Sequence, residues 1–495
     1  MQQRRIPGLS VVSMAVAVIV ALGSQAAWGL GAMNAPSEES PAPPSPAAEP
    51  VVAEAAPSLA LSDESASAGS FEETLKAIKN PVPWFSWGGD LRLREVWGDN
   101  WLTLDSGTAA HEWHFQRYLS RLWGTLTPVK DVDLNVRLAW EPRVIQKGPR
   151  PNDGVHSRYI WDEVVFDNLN LKLHRIGGSG LSATLGRQDI ILGNGWLVLE
   201  GTPLDSARTI FFDAMRLTYE AEPIQTTFDA IYIHQDHAGD RVMPVIDRSG
   251  QDVIEQDERG AIFYVTNRSI PTLQIDGYYI FKHDIRQKPT GNDADIHTAG
   301  GRLSGTLADH WAYDAELAHQ WGNKNGDYLS ALGANSRLSY LFKDRMDNQL
   351  RIAYEFLSGD DPRSSANEAF DPLWGRYARW SELYPYTVAM ESGRPGEQTN
   401  LHRLAGGWSI SPTRKLQWRN DYHLLFADEN TLRAAPGFTS RGAFRGQLLS
   451  SVLTYKVNEH VSTHLWTELF FPGNYYAGDR NDPALFLRYE LCFTF

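Results

Sequence analysis

Cysteine is almost absent: Cys492 is the only one in 495 residues. One thiol closes no internal disulfide and makes no metal framework. Positive charge is also short. Lys and Arg total 46 against 60 Asp and Glu, a net of −14, which argues against nucleic acid as a partner. Long apolar runs are missing from Trp84 onward. No stretch of about 18 apolar residues occurs there, so no transmembrane helix is expected. Mean hydropathy is −0.36, too polar for a polytopic helical membrane protein.

Chemical signatures are missing too. There is no Gly-x-Ser-x-Gly elbow, because Gly177-Gly178-Ser179-Gly180 runs on into Leu181. There is no Walker A loop, so any transport is passive. His111-Glu112-Trp113-His114 lacks one spacer of a zincin motif, and His234-Gln235-Asp236-His237 is similar. The polar clusters Ser358 to Asp361 and Gly478 to Asp482 read as turn chemistry. No catalytic residue, metal ligand or cofactor is expected, and the chain does not read as an enzyme.

Aromatics are what the chain has in plenty: 11%, with 17 Trp. A transmembrane barrel reconciles these with the polar average, because only every second strand residue faces lipid. The chain divides into three parts. Residues 1–26 read as a signal peptide, with Arg4 and Arg5, an apolar stretch from Leu9 to Leu22, and small residues at Ser24-Gln25-Ala26. The apolar stretch is too short to span a bilayer. Residues 27–83 read as a periplasmic linker rich in Pro, Ala and Ser, too poor in apolar residues to bury a core. A short helix is expected at Phe71 to Lys79. Residues 84–495 read as the barrel.

The barrel reading rests on alternation. Leu350, Ile352, Tyr354 and Phe356 interleave with Gln349, Arg351, Ala353 and Glu355. A strand sends successive side chains to opposite faces, so one face is apolar and the other charged. Candidate strands fall at 87–97, 114–127, 132–142, 161–173, 181–193, 207–220, 225–236, 259–269 and 272–284. They continue at 296–307, 311–321, 328–342, 348–357, 401–410, 415–426, 444–456, 460–470 and 483–495. Connections alternate between short, such as 128–131 and 308–310, and mostly longer, with 358–400 the longest. That rhythm is the signature of a transmembrane barrel with short periplasmic turns and long outer loops. The fold expected is an all-β antiparallel barrel of about 18 strands in the bacterial outer membrane. The last strand alternates from Leu485 to Phe495. It resembles the signal read by the barrel-assembly machinery, and its apolar edge needs the first strand as partner. Trp and Tyr near strand ends, such as Trp87, Trp311 and Trp408, suit girdles at the lipid boundary.

About eighteen strands leave a water-filled channel rather than a packed interior. Parity places Arg92, Arg94, Arg121, Arg137, Arg302, Arg337, Arg351, Arg403, Arg419 and Arg488 on its wall. Asp90, Glu141, Asp276, Asp314, Glu316, Glu355, Asp421, Glu468 and Glu490 share that face. Arg binds carboxylates bidentately and stays charged at any working pH. Neighbouring acids would keep the attraction short of tight binding, as conduction requires. The same pairs also read as salt-bridge ladders that brace the wall.

Two segments add a resemblance. Gly186-Arg187-Gln188-Asp189-Ile190-Ile191-Leu192-Gly193 is followed by Phe212-Asp213-Ala214-Met215-Arg216-Leu217. With the Pro128 turn and Leu134 to Leu138, these resemble the alginate-export family of outer-membrane barrels. Ala214 stands where the family often has Gly. The resemblance implies an eighteen-stranded barrel that passes an anionic polysaccharide, or a related carboxylated solute, through a gated electropositive constriction. Arg187 and Arg216 match its recurrent motif and join the pore-lining set on that ground. The partners implied are an anionic poly- or oligosaccharide, outer-membrane lipid and a periplasmic export scaffold. A general porin for small hydrophilic solutes is the alternative.

Overall fold

The computed structural model describes residues 66–108, 111–148, 158–160, 164–199, 211–238, 254–388, 391, 397–433 and 435–495. The signal-peptide reading (1–26) and most of the linker reading (27–65) lie outside the described residues. A helix, α1 (Ala66–Lys79), precedes the first strand. It begins five residues before the sequence suggested.

The strands follow in order. They are β1 (Phe85–Asp99), β2 (Glu112–Val129), β3 (Val132–Trp140), β4 (Arg143–Lys147), β5 (Arg158–Ile160), β6 (Val164–Leu173), β7 (Leu181–Gln188), β8 (Phe212–Ala221) and β9 (Thr226–Gln235). Next come β10 (Gln256–Ile270), β11 (Leu273–Arg286), β12 (Ala294–Leu307), β13 (Trp311–Lys324), β14 (Asp327–Leu341) and β15 (Gln349–Leu357). The last five are β16 (Leu401–Thr413), β17 (Leu416–Phe426), β18 (Phe444–Lys456), β19 (Val461–Pro472) and β20 (Ala484–Thr494).

Twenty strands make eighteen staves. β3 and β4 both pair with β2, on either side of Glu141-Pro142. Proline has no N–H for the ladder, so the stave breaks there. β5 and β6 pair with β4 and β3 in the same way and form one stave. Every pairing is antiparallel between neighbours, and β1 closes on β20 from Asp90↔Thr494 to Asp99↔Leu485. Closure removes the edges that the apolar last strand would otherwise present.

The faces are inverted relative to a soluble protein. Leu122, Tyr232, Phe263, Ile352, Leu404 and Tyr489 point outward and are exposed, as lipid-facing residues must be. The short turns use left-handed residues such as Asp131, Gln225 and Ala308. At the first of these, the Arg175 guanidinium holds the Asp131 carboxyl below the usual range. One long-loop connection is tight instead. Asn325-Gly326 joins β13 to β14 with φ of 56° and 96°, the Asn-Gly pair that a two-residue type I′ hairpin favours.

The interior departs from the open channel expected. The 358–400 connection folds inward. Its side chains meet inward-facing residues of β10, β13, β14, β15, β18, β19 and β20. Trp374 Nε1 donates to Glu258 Oε2 at 2.8 Å. Gln320 Nε2 donates to the Asp371 carbonyl at 2.8 Å. Trp380 Nε1 donates to Glu355 Oε2 at 3.1 Å, and Ser381 Oγ to Glu468 Oε2 at 2.7 Å. A segment that touches so much of the ring sits in its bore. Trp374 lies so close to Gly260 that a Cβ there would stand 2.4 Å from the indole, so only glycine admits the ring.

The long-loop half of the bore is therefore packed. Trp374, Phe370, Trp196 and Leu197 are buried together with Ile233, Ile262, Ile280 and Ile296 of the wall. Trp196 stacks on Phe370 at 5.6 Å, and Trp374 N donates to the Leu197 carbonyl at 3.0 Å. The segments around 196 and 374 thus form one insert. A short helix within it, α2 (Tyr384–Thr387), packs Tyr386 against Trp101 of the first long loop.

Candidate functional site

Charged side chains line the inner face in ladders. Arg92 lies 3.7 Å from both Glu141 and Glu490. Arg94 Nε donates to Glu490 at 2.7 Å. Arg117 Nε, which the sequence reading left out, donates to Glu141 at 2.9 Å. Arg121 Nε donates to Asp90 at 3.0 Å. Arg137 binds Asp189 bidentately at 2.9 Å and Asp167 at 2.8 Å. Arg187, expected on the pore wall, instead shares the strand parity of the outward-facing Leu185, as Asp213 shares that of Met215. It grips Asp213 bidentately at 2.8 and 2.9 Å while its guanidinium covers Phe211 at 3.5 Å. Arg216 Nε donates to Asp229 at 2.8 Å.

The other half of the ring continues the pattern. Arg302 bridges Asp276 and Asp314 at 3.0 Å each. Arg337 stands in register with Asp314 on the neighbouring strand. Arg351 reaches Asp421 at 3.1 Å, and Arg419 reaches its other oxygen at 2.6 Å. Arg403 meets Glu355 at 2.9 Å and lies over Trp380. Arg488 meets Glu382 of the insert at 3.2 Å and lies over Trp466.

Burial separates these arginines. The side chains of Arg94, Arg187, Arg403 and Arg488 are at most 7% exposed. Each is fixed by a carboxylate, and most also by a ring. Removing a partner from such a buried pair leaves a charge unpaired, so they brace the structure. Arg419 and Arg216 are 36% and 27% exposed, and Arg117, Arg121 and Arg137 are partly open. These are the more accessible cations among the paired arginines.

The balance of charge differs around the ring. On the arc from β20 through β1 and β2 to the stave of β3 and β4, seven arginines face inward: Arg92, Arg94, Arg117, Arg121, Arg137, Arg143 and Arg488. Arg143 is placed there by its register with Arg117. They meet six carboxyl groups, Asp90, Glu141, Asp167, Asp189, Glu382 and Glu490. On the arc β10 to β13, five carboxyl groups, Glu258, Asp276, Asp284, Asp314 and Glu316, share the wall with three cations, Lys282, Arg302 and Lys324, of which Lys324 pairs with Asp371 and Glu397 of the insert. In a ring of eighteen staves, β12 is nine staves from β1, so the two arcs face each other.

The chain's sequence matches the model of the alginate export family over residues 110–484. The protein belongs to the alginate export family. No curated protein matches its sequence. Solved outer-membrane porins of the Occ/Opd family share the fold. OccAB2 of Acinetobacter baumannii is 10% identical, with a TM-score of 0.52 over 83% of this chain and 98% of that one. OpdQ of Pseudomonas aeruginosa is 12% identical, with a TM-score of 0.51 over 83% and 97%. OccK7 (OpdD) of Pseudomonas aeruginosa is 11% identical, with a TM-score of 0.51 over 84% and 99%. The chain is therefore an outer-membrane β-barrel of channel type in the bacterial outer membrane. Family and fold are those of channels and not of enzymes.

The family's recurrent segments have structural work of their own. Arg187 and Asp213 are cross-strand neighbours on β7 and β8. Beyond Gln188 the chain leaves the wall, so Ile190, Leu192 and Leu197 enter the insert. The histidine motifs make acid pairs at the long-loop rim: His111 with Asp99 at 2.6 Å and His237 with Asp257 at 2.7 Å. Lys282, Lys324, Arg376 and Arg445, which hold the insert or its wall, escaped the sequence reading. Lys282 occupies an inward position of an alternating strand, and that parity was its one signal.

Proposed function

We propose that this family member is a passive channel for carboxylated solutes, an alginate-like anionic polysaccharide being the cargo implied by the family. The observation that carries the reading is the arc of seven arginines against six carboxyl groups, facing an arc where carboxyl groups outnumber cations. Its partly open members, Arg117 and Arg121, are each paired with one wall carboxylate, Glu141 and Asp90. A uronate arriving there finds planar forks matched to its own carboxylate. The acids already present compete for the same forks and keep residence short.

The acid-rich arc opposite gives the bore a transverse field, so a polyanion would track along one wall. The insert narrows the long-loop half and would set the size of what passes. Delivery from the periplasmic side would involve an export scaffold. Assembly would use the C-terminal strand as the mark read by the barrel-assembly machinery.

Purified protein in planar bilayers tests the proposal. The expected results are anion preference in a salt gradient and current block by uronate oligomers. Free passage of neutral sugars without uronate block favours a general porin instead. The near one-to-one pairing of arginines with acids elsewhere on the wall supports that second reading.

A further inference from the structure

At the short-turn end, α1 crosses the seam where the barrel closes. Trp87 of β1 donates its Nε1–H to the Ile78 carbonyl at 2.7 Å, which ties down the C-terminal part of the helix. Six residues earlier, Glu72 reaches His460 in the turn before β19, with Oε1 3.0 Å from Nε2. Six residues of helix span about 9 Å. Two inter-strand spacings, from β19 past β20 to β1, span about 9.6 Å. The helix therefore lies across the end of β20. There Phe495 packs edge-on against Trp87, with ring centres 5.3 Å apart.

The ring of His460 is aimed from behind. Its Nδ1 is 2.9 Å from the Thr494 carbonyl. A carbonyl only accepts, so Nδ1 carries the proton and donates it. Nε2, on the far side, points away from the barrel and donates its proton to Glu72; a metal ion bound there would take that proton's place. The exposed Glu459 converges on the same place. Ligand atoms of Glu72, Glu459 and His460 all lie within 4.8 Å of one another. Among the described residues no other three acidic, His or Cys side chains do so. A histidine whose far nitrogen is held by a backbone carbonyl is the usual outer-shell arrangement of a metal ligand.

We infer that Glu72, Glu459 and His460 form a divalent transition-metal site that clasps α1 over the closure seam. One imidazole with two carboxylates favours Zn²⁺ over Mg²⁺ or Ca²⁺, which prefer all-oxygen shells. Three protein ligands leave a fourth position for water. The ligands come from the two ends of the chain, 388 residues apart between Glu72 and His460. The ion would thus bind only the closed barrel with its helix in place.

The test titrates ZnCl2 into the full chain in detergent micelles, beside MgCl2, and follows binding by calorimetry and amide exchange of residues 72–80. The expected result is one saturable Zn²⁺ site per barrel, with slowed exchange of the helix amides and neither effect from Mg²⁺. The site should vanish in His460→Ala and weaken about ten-fold or more in Glu459→Gln. Heat-modifiable gel mobility confirms that each variant is a closed barrel. If His460→Ala does not fold, Glu459→Gln decides, since its side chain is exposed. Unchanged affinity in the folded variants overturns the assignment. So does Zn²⁺ binding that leaves helix exchange unaltered.

Discussion

The two faces of the bore solve different problems with the same residue types. On the arc β10 to β14, charge serves packing. Lys324 is buried and binds Asp371 and Glu397 of the insert at 2.7 and 3.0 Å, and Lys282 is buried between Glu258 and Asp284. The aromatic centre of the insert, Trp374 and Phe370, sits beside them. On the arc β20 to β4, Arg94 and Arg488 are buried in tight pairs, but the rest of the charge is held more loosely. Arg117 and Arg121 stay partly open, and Arg92 stands 3.7 Å from each of two carboxylates. The difference separates an arc whose lysines are buried in the seating of the insert from an arc that touches the insert through Arg488 but keeps Arg117 and Arg121 partly open.

The largest effect is expected from unseating the insert. Trp374 is 1% exposed and joins apolar packing to a hydrogen bond with Glu258. Trp374→Ala should cost about 3–5 kcal/mol of the free energy that seats the insert. Single-channel conductance should rise while the barrel stays closed by gel mobility. Unchanged conductance would mean that the insert does not narrow the path.

A smaller effect is expected at Glu355. Its carboxylate accepts from Arg403 Nε at 2.9 Å and from the indoles of Trp196 and Trp380 at 3.1 Å each. It is the point where both inserted segments meet the wall. Glu355→Gln keeps the shape and removes the charge. Losing charge assistance at such a bond costs about 1.5–3 kcal/mol, so spontaneous open–closed transitions should become more frequent in bilayer recordings. Identical dwell times in the variant would assign Glu355 to the wall alone.

These two residues also show what sequence reading reaches. The eighteen staves are legible because the information is local. Period-two alternation runs through each stave, and turns such as Asn325-Gly326 announce themselves. Inward parity at Arg92, Arg302 or Arg419 follows from the same count. The insert is not legible. Trp196 and Glu355 are 159 residues apart, and Trp374 and Glu258 are 116. Neither contact leaves a period in the sequence. Residues 358–400 carry no alternation, so they read only as a long loop, and the expectation of a water-filled channel followed. The break at Glu141-Pro142 was visible as a proline, yet its effect depends on β2 bridging it. Partners such as Asp189 lie just beyond a strand, where parity says nothing.

The smallest effect sharpens the comparison most, because it separates charge from packing. Arg117→Gln removes a partly open cation from the basic arc, and Asp314→Asn removes an acid from the arc opposite. Asp314 is 6% and Arg117 15% exposed, so each change weakens a largely buried pair, and heat-modifiable gel mobility is read beside selectivity to show that the barrel stays closed. Both should move ion selectivity, and in opposite directions: Arg117→Gln toward cations and Asp314→Asn toward anions, read as reversal potentials across a salt gradient. Salt supplies the control. The screening length falls from about 10 Å at 0.1 M to about 3 Å at 1 M, so a shift that acts through the open bore should shrink as salt rises. A shift equal at both salt concentrations would instead come from a rearranged insert, and the two arcs would then be one mechanical unit rather than two walls with separate tasks.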